Sequence, residues 1–327
     1  MFRSTGFFLA LSVLILSGSI AQAAPVVLRL GHVVEPIAPY AQAATFFAEK
    51  LKEKTNGAVE VQVFPNSQLG NQRDMIEGMI FGTVDMCMST TAVLGNFVPE
   101  LSVFDLPFLF RDRAHAYKAL DSLGMELAKL GEQRGFKLLV MMENGVRHTT
   151  NSKRPIRKPE DMKGLKVRVM EQVTFIKMME LLGASPTPMA FGEVYTALQK
   201  GVIDGQENPL STITTSRLFE VQKYISLTGH TYSAEPMLIG MKAWNKLSKD
   251  QQKAMLEAAD EALVWQRKLC EKIEAEYIAQ LTKEGKNEIN DDVDKAAFAA
   301  ATKDTFKLYA DKVKNGQQYI DRILAIK

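Results

Sequence analysis

The stretches "MIEGMIFGTVDM", Met75–Met86, and "VYTALQKGVIDG", Val194–Gly205, decide the fold. In each, apolar residues at helical spacing run up to a glycine and are followed by a short strand-like segment. Aligned, the stretches pair Gly82 with Gly201 and Asp85 with Asp204. Each lies within a strand-helix-strand-helix-strand order, which is typical of a mostly parallel sheet covered by helices. The sequence therefore predicts two α/β units of one design, although two unrelated α/β units would also match at so few positions.

Chain length also favours two lobes. With 327 residues, of which 46% are apolar, the chain exceeds the roughly 250–300 residues at which single cores usually divide. The first unit begins with "VVLRLGH" at Val26 and the second with "LKVRVM" at Leu165. Between them, "KLLVMMENGVRHTTN" at 137–151 predicts a strand, a turn and a second strand that cross between the lobes. "TYSAEPMLIGM" at 231–241 predicts the strand that returns, with its apolar residues resuming after the proline.

The longest predicted helix follows the returning strand. Ser248 and Gln251 form an S-x-x-Q capping box, and helical periodicity continues to Gly285. About 36 residues would extend roughly 54 Å. A helix over about 249–284 is therefore longer than one small lobe and is expected to brace both. We predict lobe I over 24–144 and about 234–273, and lobe II over 145–233 and about 274–327.

The N-terminus has the pattern of an export signal. A single charge at Arg3 precedes an apolar run from Phe7 to Leu16, and the small-residue site Ala21-Gln22-Ala23 follows. Residues 1–23 are therefore predicted to be a signal peptide, because the run is shorter than the roughly 20 residues of a membrane-spanning helix. The mature protein is expected in the periplasm, and an uncleaved N-terminal anchor is the alternative.

Composition and motifs argue against several classes of function. Lys and Arg total 40 and Asp and Glu total 38, so no large net charge favours nucleic acid or an anionic membrane. The histidines lack the short spacings of zinc sites, and no catalytic or dinucleotide-binding motif stands in a usable context. These observations favour a binding protein without metal or cofactor. The two cysteines, Cys87 and Cys270, are expected to be buried free thiols.

Three polar residues are predicted to converge at one edge of the second unit. Arg168 lies near the end of the strand "LKVRVM", Arg147 lies on the crossing strand, and Asn208 ends the strand after "VIDGQE". Ligands of α/β sheets bind beyond the carboxyl ends of the strands. The planar guanidinium fork matches a carboxylate with two parallel hydrogen bonds. We therefore expect a site for one or two carboxylates, while a solvated strand arginine is the alternative reading of Arg168.

Five further residues are weaker candidates for the same cleft. Phe191 would form a wall of the cleft or would pack only against the helix that follows it. His32 follows the first strand, and it is either a ligand contact or a structural hydrogen-bonding group. Gln72, Arg73 and Thr90 lie at similar strand edges of the first unit.

Several stretches together resemble a known family. The stretches are "FPNSQLGNQRDM" at 64–75, "NGVRHTT" at 144–150, "MKGLKVRV" at 162–169 and "LGASPTPMAFGEVYTALQKGVIDGQENPL" at 182–210. They resemble the substrate-binding proteins, of the DctP type, of tripartite ATP-independent periplasmic (TRAP) transporters. The resemblance covers essentially the whole mature chain. It implies a two-lobed periplasmic-binding-protein fold, in which each lobe is a mostly parallel sheet flanked by helices and one long helix braces both lobes.

The resemblance also implies roles for four residues. Arg168 matches the arginine that forms a bidentate salt bridge to the ligand carboxylate. Arg147 matches a second arginine that holds the acid, Asn208 matches an asparagine beside it, and Phe191 matches an aromatic residue of the pocket wall. The implied function is capture of a small organic acid anion, closure around it, and delivery to the small and large membrane subunits of the transporter. A monomer is expected.

The first unit departs from the sialic-acid-binding subgroup of that family. That subgroup has an acidic residue and an arginine where this chain has Thr90 and Val93, and an aspartate in place of Asn71. The neutral set of His32, Gln72 and Thr90 suits a smaller ligand, such as a sugar acid or a C4-dicarboxylate, and a sulfonate would also fit the arginines. Two other functions remain open, a periplasmic ligand-binding partner of a sensor and an exported enzyme with His32 or Glu207 as general base.

Overall fold

The computed structural model describes residues 24–327, so the predicted signal peptide lies outside the described part of the chain. Within that range the strands form one sheet, in the order β2-β1-β3-β8-β4-β7-β5-β6, with β9 beside β8. The strands are β1 Val26–Gly31, β2 Val59–Phe64, β3 Met86–Met88, β4 Phe136–Asn151, β5 Lys166–Val169, β6 Ser185–Pro188, β7 Gly205–Pro209, β8 Tyr224–Gly240 and β9 Glu288–Asn290.

The sheet has two parallel groups of the same order. In the first, β1 lies between β2 and β3, and in the second β5 lies between β6 and β7. The long antiparallel strands β8 and β4 join them. The paired residues of the two quoted stretches are also equivalent in structure. Gly82 and Gly201 adopt positive φ angles of 83° and 67°.

The two aspartates of the match perform the same task. Asp85 Oδ2 accepts a hydrogen bond from the backbone N–H of Arg29 in β1, at 2.9 Å. Asp204 Oδ2 accepts one from the backbone N–H of Lys166 in β5, also at 2.9 Å. Each carboxylate therefore ties the turn before the third strand of its group to the central strand. The predicted repetition of one α/β unit is confirmed.

The crossing region differs from the prediction of a strand, a turn and a second strand. Asn144-Gly145 is not a turn, because β4 continues through it and pairs with β8 on both sides. The pairing register shifts between Glu143 and Gly145, where Gly145 adopts a φ of 129°, so the residues form a β-bulge. The returning strand also begins at Tyr224, earlier than expected, and includes Pro236.

The helices cover both faces of the sheet. They are α1 Pro39–Lys54, α2 Gln72–Phe81, α3 Thr91–Leu94, α4 Arg113–Ala119, α5 Met125–Ala128, α6 Val173–Leu181, α7 Val194–Gln199, α8 Leu210–Thr215, α9 Met241–Trp244, α10 Lys249–Glu284, α11 Lys295–Thr302, α12 Asp304–Lys312 and α13 Gly316–Leu324. No helix within residues 24–327 is both long and apolar enough to cross a membrane. Cys87 and Cys270 are buried and free, as predicted.

The 36-residue helix α10 has the bounds that its capping box and terminal glycine predicted. The Ser248 hydroxyl accepts from the backbone N–H of Gln251, whose side chain accepts from the backbone N–H of Ser248. The helix contacts α1, β4 and α8. Phe46 of α1 stacks on Trp265 of α10, with ring centroids 5.2 Å apart. Since α1 covers the first parallel group and α8 follows β7 of the second, α10 braces both ends of the sheet.

Candidate functional site

A cavity with an empty volume of about 550 Å³ lies where the carboxyl ends of the two parallel groups meet. This is the position at which α/β sheets bind ligands. Seven of the eight predicted site residues line it, namely Gln72, Arg73, Thr90, Arg147, Arg168, Phe191 and Asn208. The structure therefore brings together side chains that are up to 136 positions apart in the chain.

Arg168 is a buried cation without an anionic partner. Only 3% of it is exposed, and within residues 24–327 no carboxylate lies within ion-pair distance of its guanidinium. Its Nε and Nη2 donate to the carbonyl oxygen of Met189, at 3.0 and 2.7 Å, and its guanidinium lies 6.0 Å from the ring centre of Phe191. Burial lowers the pKa of Arg168 to about 10. An anion bound in the cavity would offset the loss of hydration that burial imposes on the Arg168 guanidinium.

Arg147 is fully buried and already has a counter-charge. Its Nε donates to Glu207 Oε2 at 2.5 Å, and its Nη2 donates to Glu207 Oε1 at 2.9 Å and to Asn208 Oδ1 at 3.1 Å. Its Nη1 is buried and has no hydrogen-bond acceptor among the described residues. The ion pair thus leaves Arg147, a lining residue, with one donor still free for a ligand.

Glu207 is held as a carboxylate inside the protein. Burial alone would raise its pKa, but Arg147 and the hydrogen bond with His230, at 3.2 Å, lower it to about 2. A base with so low a pKa accepts protons poorly near neutral pH. The arrangement therefore indicates that Glu207 positions and neutralises Arg147.

Apart from Arg73, the polar groups of the first-lobe wall are neutral. Gln72 Oε1 accepts from the Thr90 hydroxyl at 3.0 Å, and its Nε2 donates to Glu235 Oε1 at 3.3 Å. Asn144 Nδ2 donates to the other oxygen of Glu235 at 3.2 Å. Gln72, Thr90 and Asn144 all line the cavity, whereas Glu235 lies behind them. This wall offers amide and hydroxyl groups to a ligand.

Arg73 and His32 lie less favourably than the other predicted residues. Arg73 lines the cavity, but 43% of its side chain is exposed. Its Nη1 also forms an ion pair with Glu77 Oε1, at 3.8 Å. His32 is buried and is not a lining residue. Its ring packs edge-on against Tyr40, with centroids 6.1 Å apart, and burial lowers its pKa to about 4. His32 therefore supports the wall from behind.

Sequence reasoning missed several lining residues, among them Tyr40, Asn144 and Thr212. Tyr40 stood in a helical pattern and gave no separate signal. Asn144 lies within the stretch predicted as a strand, a turn and a second strand, whereas in the structure it stands beside the bulge at Gly145 and lines the cavity. The only signal for Asn144 was an Asn-Gly pair inside a long strand-like run, which indicates a bulge when pairing continues on both sides.

The fold and the cavity are those of a two-lobed solute-binding protein. The chain belongs to the bacterial extracellular solute-binding proteins, family 7, whose sequence profile matches residues 30–312. It is 40% identical, over 275 residues that cover 84% of each chain, to the 2,3-diketo-L-gulonate-binding periplasmic protein of Escherichia coli K12. The predicted resemblance is therefore confirmed, and the family consists of transport binding proteins rather than enzymes.

Two solved structures are also similar over nearly the whole chain. One is a TRAP periplasmic solute-binding protein from Polaromonas sp. JS666 bound to D-erythronate, with a TM-score of 0.89 and 40% identity, covering 92% of this chain and 99% of that one. The other, from Sulfurospirillum deleyianum DSM 6946 with bound succinate, has a TM-score of 0.89 and 34% identity, covering 93% and 100%. The predicted two-lobed fold is confirmed.

Proposed function

We propose that this protein captures a small organic acid anion in the cleft, closes around it and delivers it to the small and large membrane subunits of a TRAP transporter. The observation that carries the proposal is the unpaired, buried guanidinium of Arg168 in the cavity wall. A ligand carboxylate supplies the counter-charge of Arg168 there. The free Nη1 of Arg147 donates a further hydrogen bond to the same acid group.

Affinity arises because the Arg168 guanidinium, which is already shielded from bulk water, gains charge-assisted hydrogen bonds from the bound anion. A charge-assisted pair is strong when it is shielded from solvent, and removing one partner then leaves the other charge buried. Phe191 covers one face of the Arg168 guanidinium and keeps water from it. The second lobe thus holds the acid group, and the remaining oxygens of the ligand meet the amides and hydroxyls of the first lobe.

Closure of the two lobes follows from ligand contacts to both of them. Here lobe I comprises 24–144 and about 234–273, and lobe II comprises 145–233 and about 274–327, except that α13 packs on lobe I, where Ile323 shares a buried core with Leu120. One direct bond already joins their rims, since Asn96 Nδ2 donates to the carbonyl oxygen of Glu171 at 2.9 Å. A ligand that contacts both lobes shifts the equilibrium towards the closed state. The membrane subunits can then distinguish the closed, loaded protein from the open one.

The ligand class is a sugar acid or another small carboxylic acid. Three relatives support this, since one is a 2,3-diketo-L-gulonate-binding protein and the two solved structures hold D-erythronate and succinate. Binding is not followed by a reaction. Glu207 is held ionised by Arg147, and His32 lies behind the wall with a lowered pKa, so neither is placed to act as a general base.

The export and assembly of the protein complete the proposal. Residues 1–23 are a signal peptide that is removed, and the mature periplasmic protein is a monomer. The family is periplasmic, which supports export. Intact mass of protein from the periplasm should correspond to a chain that begins at Ala24, and light scattering should give the mass of one chain.

The decisive experiment is calorimetry of purified mature protein with carboxylic and sulfonic acids, beginning with D-erythronate and succinate. Arg168→Ala should cost ~2–5 kcal/mol, or very roughly 30-fold to several thousand-fold in affinity. The matched control is Arg154→Ala, since Arg154 also donates to backbone carbonyls, those of Asp161 and Lys163, but does not line the cavity.

Two results would contradict the proposal. One is that the Arg168→Ala protein binds the acid as tightly as the wild type and the Arg154→Ala control do. The other is mass-spectrometric detection of a chemically changed ligand after incubation. Recovery of the acid unaltered is the expected outcome.

A further inference from the structure

Glu235 is a buried carboxyl group directly behind the first-lobe wall of the cavity. It lies on β8, opposite Met142 of β4, and its exposure is 0%. Its two oxygens accept hydrogen bonds from two lining residues, Gln72 at 3.3 Å and Asn144 at 3.2 Å. No lysine, arginine or histidine within residues 24–327 lies within 4.0 Å of it. A buried carboxyl without a cation is uncommon and calls for a specific role.

The first effect of Glu235 is to orient both amides. Gln72 and Asn144 turn their NH₂ groups towards the carboxyl, so their oxygens point elsewhere. The Gln72 oxygen accepts from Thr90, and the Asn144 oxygen accepts from the Thr212 hydroxyl at 3.4 Å. Each amide retains one further N–H for a ligand acceptor. This arrangement suits neutral hydroxyl or carbonyl oxygens.

The second effect concerns charge at this end of the cavity. Among residues 24–327, the only cation that lines the first-lobe wall is Arg73, whose side chain is 43% exposed and already forms an ion pair with Glu77. The other charged or titratable groups that face Glu235 are Arg147, which acts on it from beyond ion-pair distance, and Tyr40 and Cys87. Burial raises the pKa of Glu235 well above its usual range, and Arg147 opposes this only in part.

We infer that Glu235 makes the site selective for hydroxylated monocarboxylates and against dicarboxylates of the same length. Burial favours the neutral form of Glu235, but both of its oxygens accept hydrogen bonds from amide N–H groups, which favours the ionised form. The ionised carboxylate repels a second ligand carboxylate, and Glu235→Gln removes that charge. The inference rests on the proposed function, because it takes the first carboxylate to be held by Arg168.

The test uses pairs of acids that differ only at the far end. D-erythronate is compared with meso-tartrate, 4-hydroxybutyrate with succinate, and D-galactonate with galactarate, by calorimetry on the mature protein. In each pair that binds, the wild type should bind the monocarboxylate at least about tenfold more tightly, since like-charge juxtaposition in an interface suppresses the wrong partner. Glu235→Gln should reduce that ratio by at least about fivefold, mainly by improving binding of the dicarboxylate.

Asp105→Asn is the matched control, because Asp105 is also a fully buried carboxyl but hydrogen bonds to Thr91, which does not line the cavity. It should leave the ratio unchanged. Arg73→Ala tests whether the remaining first-lobe cation, which lines the cavity, meets the second carboxylate. Thermal denaturation establishes that each variant is folded, and if Glu235→Gln does not fold, equal or tighter binding of the dicarboxylates by the wild type still overturns the inference.

The outcomes separate this inference from the proposed function. Equal or tighter binding of the dicarboxylates by the wild type, lost in Arg168→Ala, would overturn the selectivity and leave the function standing. Equal loss of affinity for both members of a pair in Glu235→Gln would show a structural role only. A fall in dicarboxylate affinity in Arg73→Ala would place the second carboxylate at Arg73 instead. Failure of every acid to bind would refute the proposed function itself.

Discussion

The two parallel groups of the sheet share a scaffold and differ in chemistry. In both, a helix ends at a glycine with positive φ, and an aspartate then hydrogen bonds to the backbone of the central strand. At the ligand-facing end, however, the second group carries Arg168 and Asn208, whereas the first carries Thr90. The comparison teaches that strand order and turns fix where a ligand lies, and that the side chains beyond the strands decide which end of it each lobe holds.

The difference also gives the lobes different electrostatic roles. Both buried cations of the cavity wall belong to the second group or the crossing strand beside it, and one of them has a buried counter-charge. The first group contributes amides and hydroxyls whose hydrogen bonds are already organised. An acid therefore binds the second lobe by charge and the first lobe by hydrogen-bond geometry.

The largest expected effect comes from breaking the buried ion pair of the second group. Glu207→Gln leaves the Arg147 charge buried and without a counter-ion, so the free energy of unfolding should fall by ~3–5 kcal/mol. The control is Glu220→Gln, which breaks the exposed Arg217–Glu220 pair and should leave the free energy of unfolding nearly unchanged. Urea denaturation measures both. Equal losses in the two variants would contradict a special role for the buried pair.

The same pair predicts a pH dependence. Because the pKa of Glu207 in the folded protein is about 2, below its ordinary value of 4.5, its contribution to stability is present above pH 4.5 and is lost as pH falls towards 2. Glu207→Gln should lack that part of the acid destabilisation and show a flatter decline below pH 4.5. Denaturation curves between pH 5 and pH 2 would contradict this if wild type and variant declined in parallel.

A smaller effect tests whether the second group recognises the planar shape of a carboxylate as well as its charge. Arg168→Lys keeps a cation but loses the fork and the pair of bonds to the Met189 carbonyl. We expect affinity roughly 10- to 100-fold below the wild type, or ~1.4–2.7 kcal/mol, and above that of Arg168→Ala. Calorimetry with D-erythronate measures it, with Arg154→Lys as control. Wild-type affinity in Arg168→Lys would show that charge alone suffices.

The sequence was most informative where local chemistry determines structure. The capping box at Ser248 and the glycine at 285 set the bounds of α10, since both act within one helical turn. Arg168 was identifiable because a strand position fixes which end of the sheet it reaches. The family resemblance added the roles of Arg147 and Asn208, which remain predictions.

Other features could not be predicted because they depend on distant partners. The bulge at Gly145 exists only because β8 pairs with β4 on both sides of it. Glu235 gave no signal, since its role arises from Gln72, which is 163 positions away, and from Asn144, which is 91 away. The short helices between Thr91 and Ala128 have too few residues for helical periodicity to stand out.

The smallest expected effect tests the scaffold that both groups share. Asp85→Asn and Asp204→Asn each keep an acceptor oxygen but lose the charge that strengthens the bond to the central strand, so each should cost ~1 kcal/mol of unfolding free energy. Urea denaturation of the two variants, with the exposed Asp250→Asn as control, measures the losses. Neither variant should change ligand affinity, because neither aspartate lines the cavity.

Acid should remove the contribution of Asp204 to stability. Burial alone would raise the pKa of Asp204, but the Lys166 N–H and the Lys153 ammonium at 3.3 Å lower it, so its contribution is present above the unfolded pKa and is lost as pH falls. Asp85 instead has Arg29 at 3.5 Å. If Asp85→Asn and Asp204→Asn lost equal stability at neutral pH, the aspartate hydrogen bond would stabilise both parallel groups to the same extent. If only Asp204→Asn lowered the free energy of unfolding, the lysines beside Asp204, rather than the shared turn, would stabilise the second group.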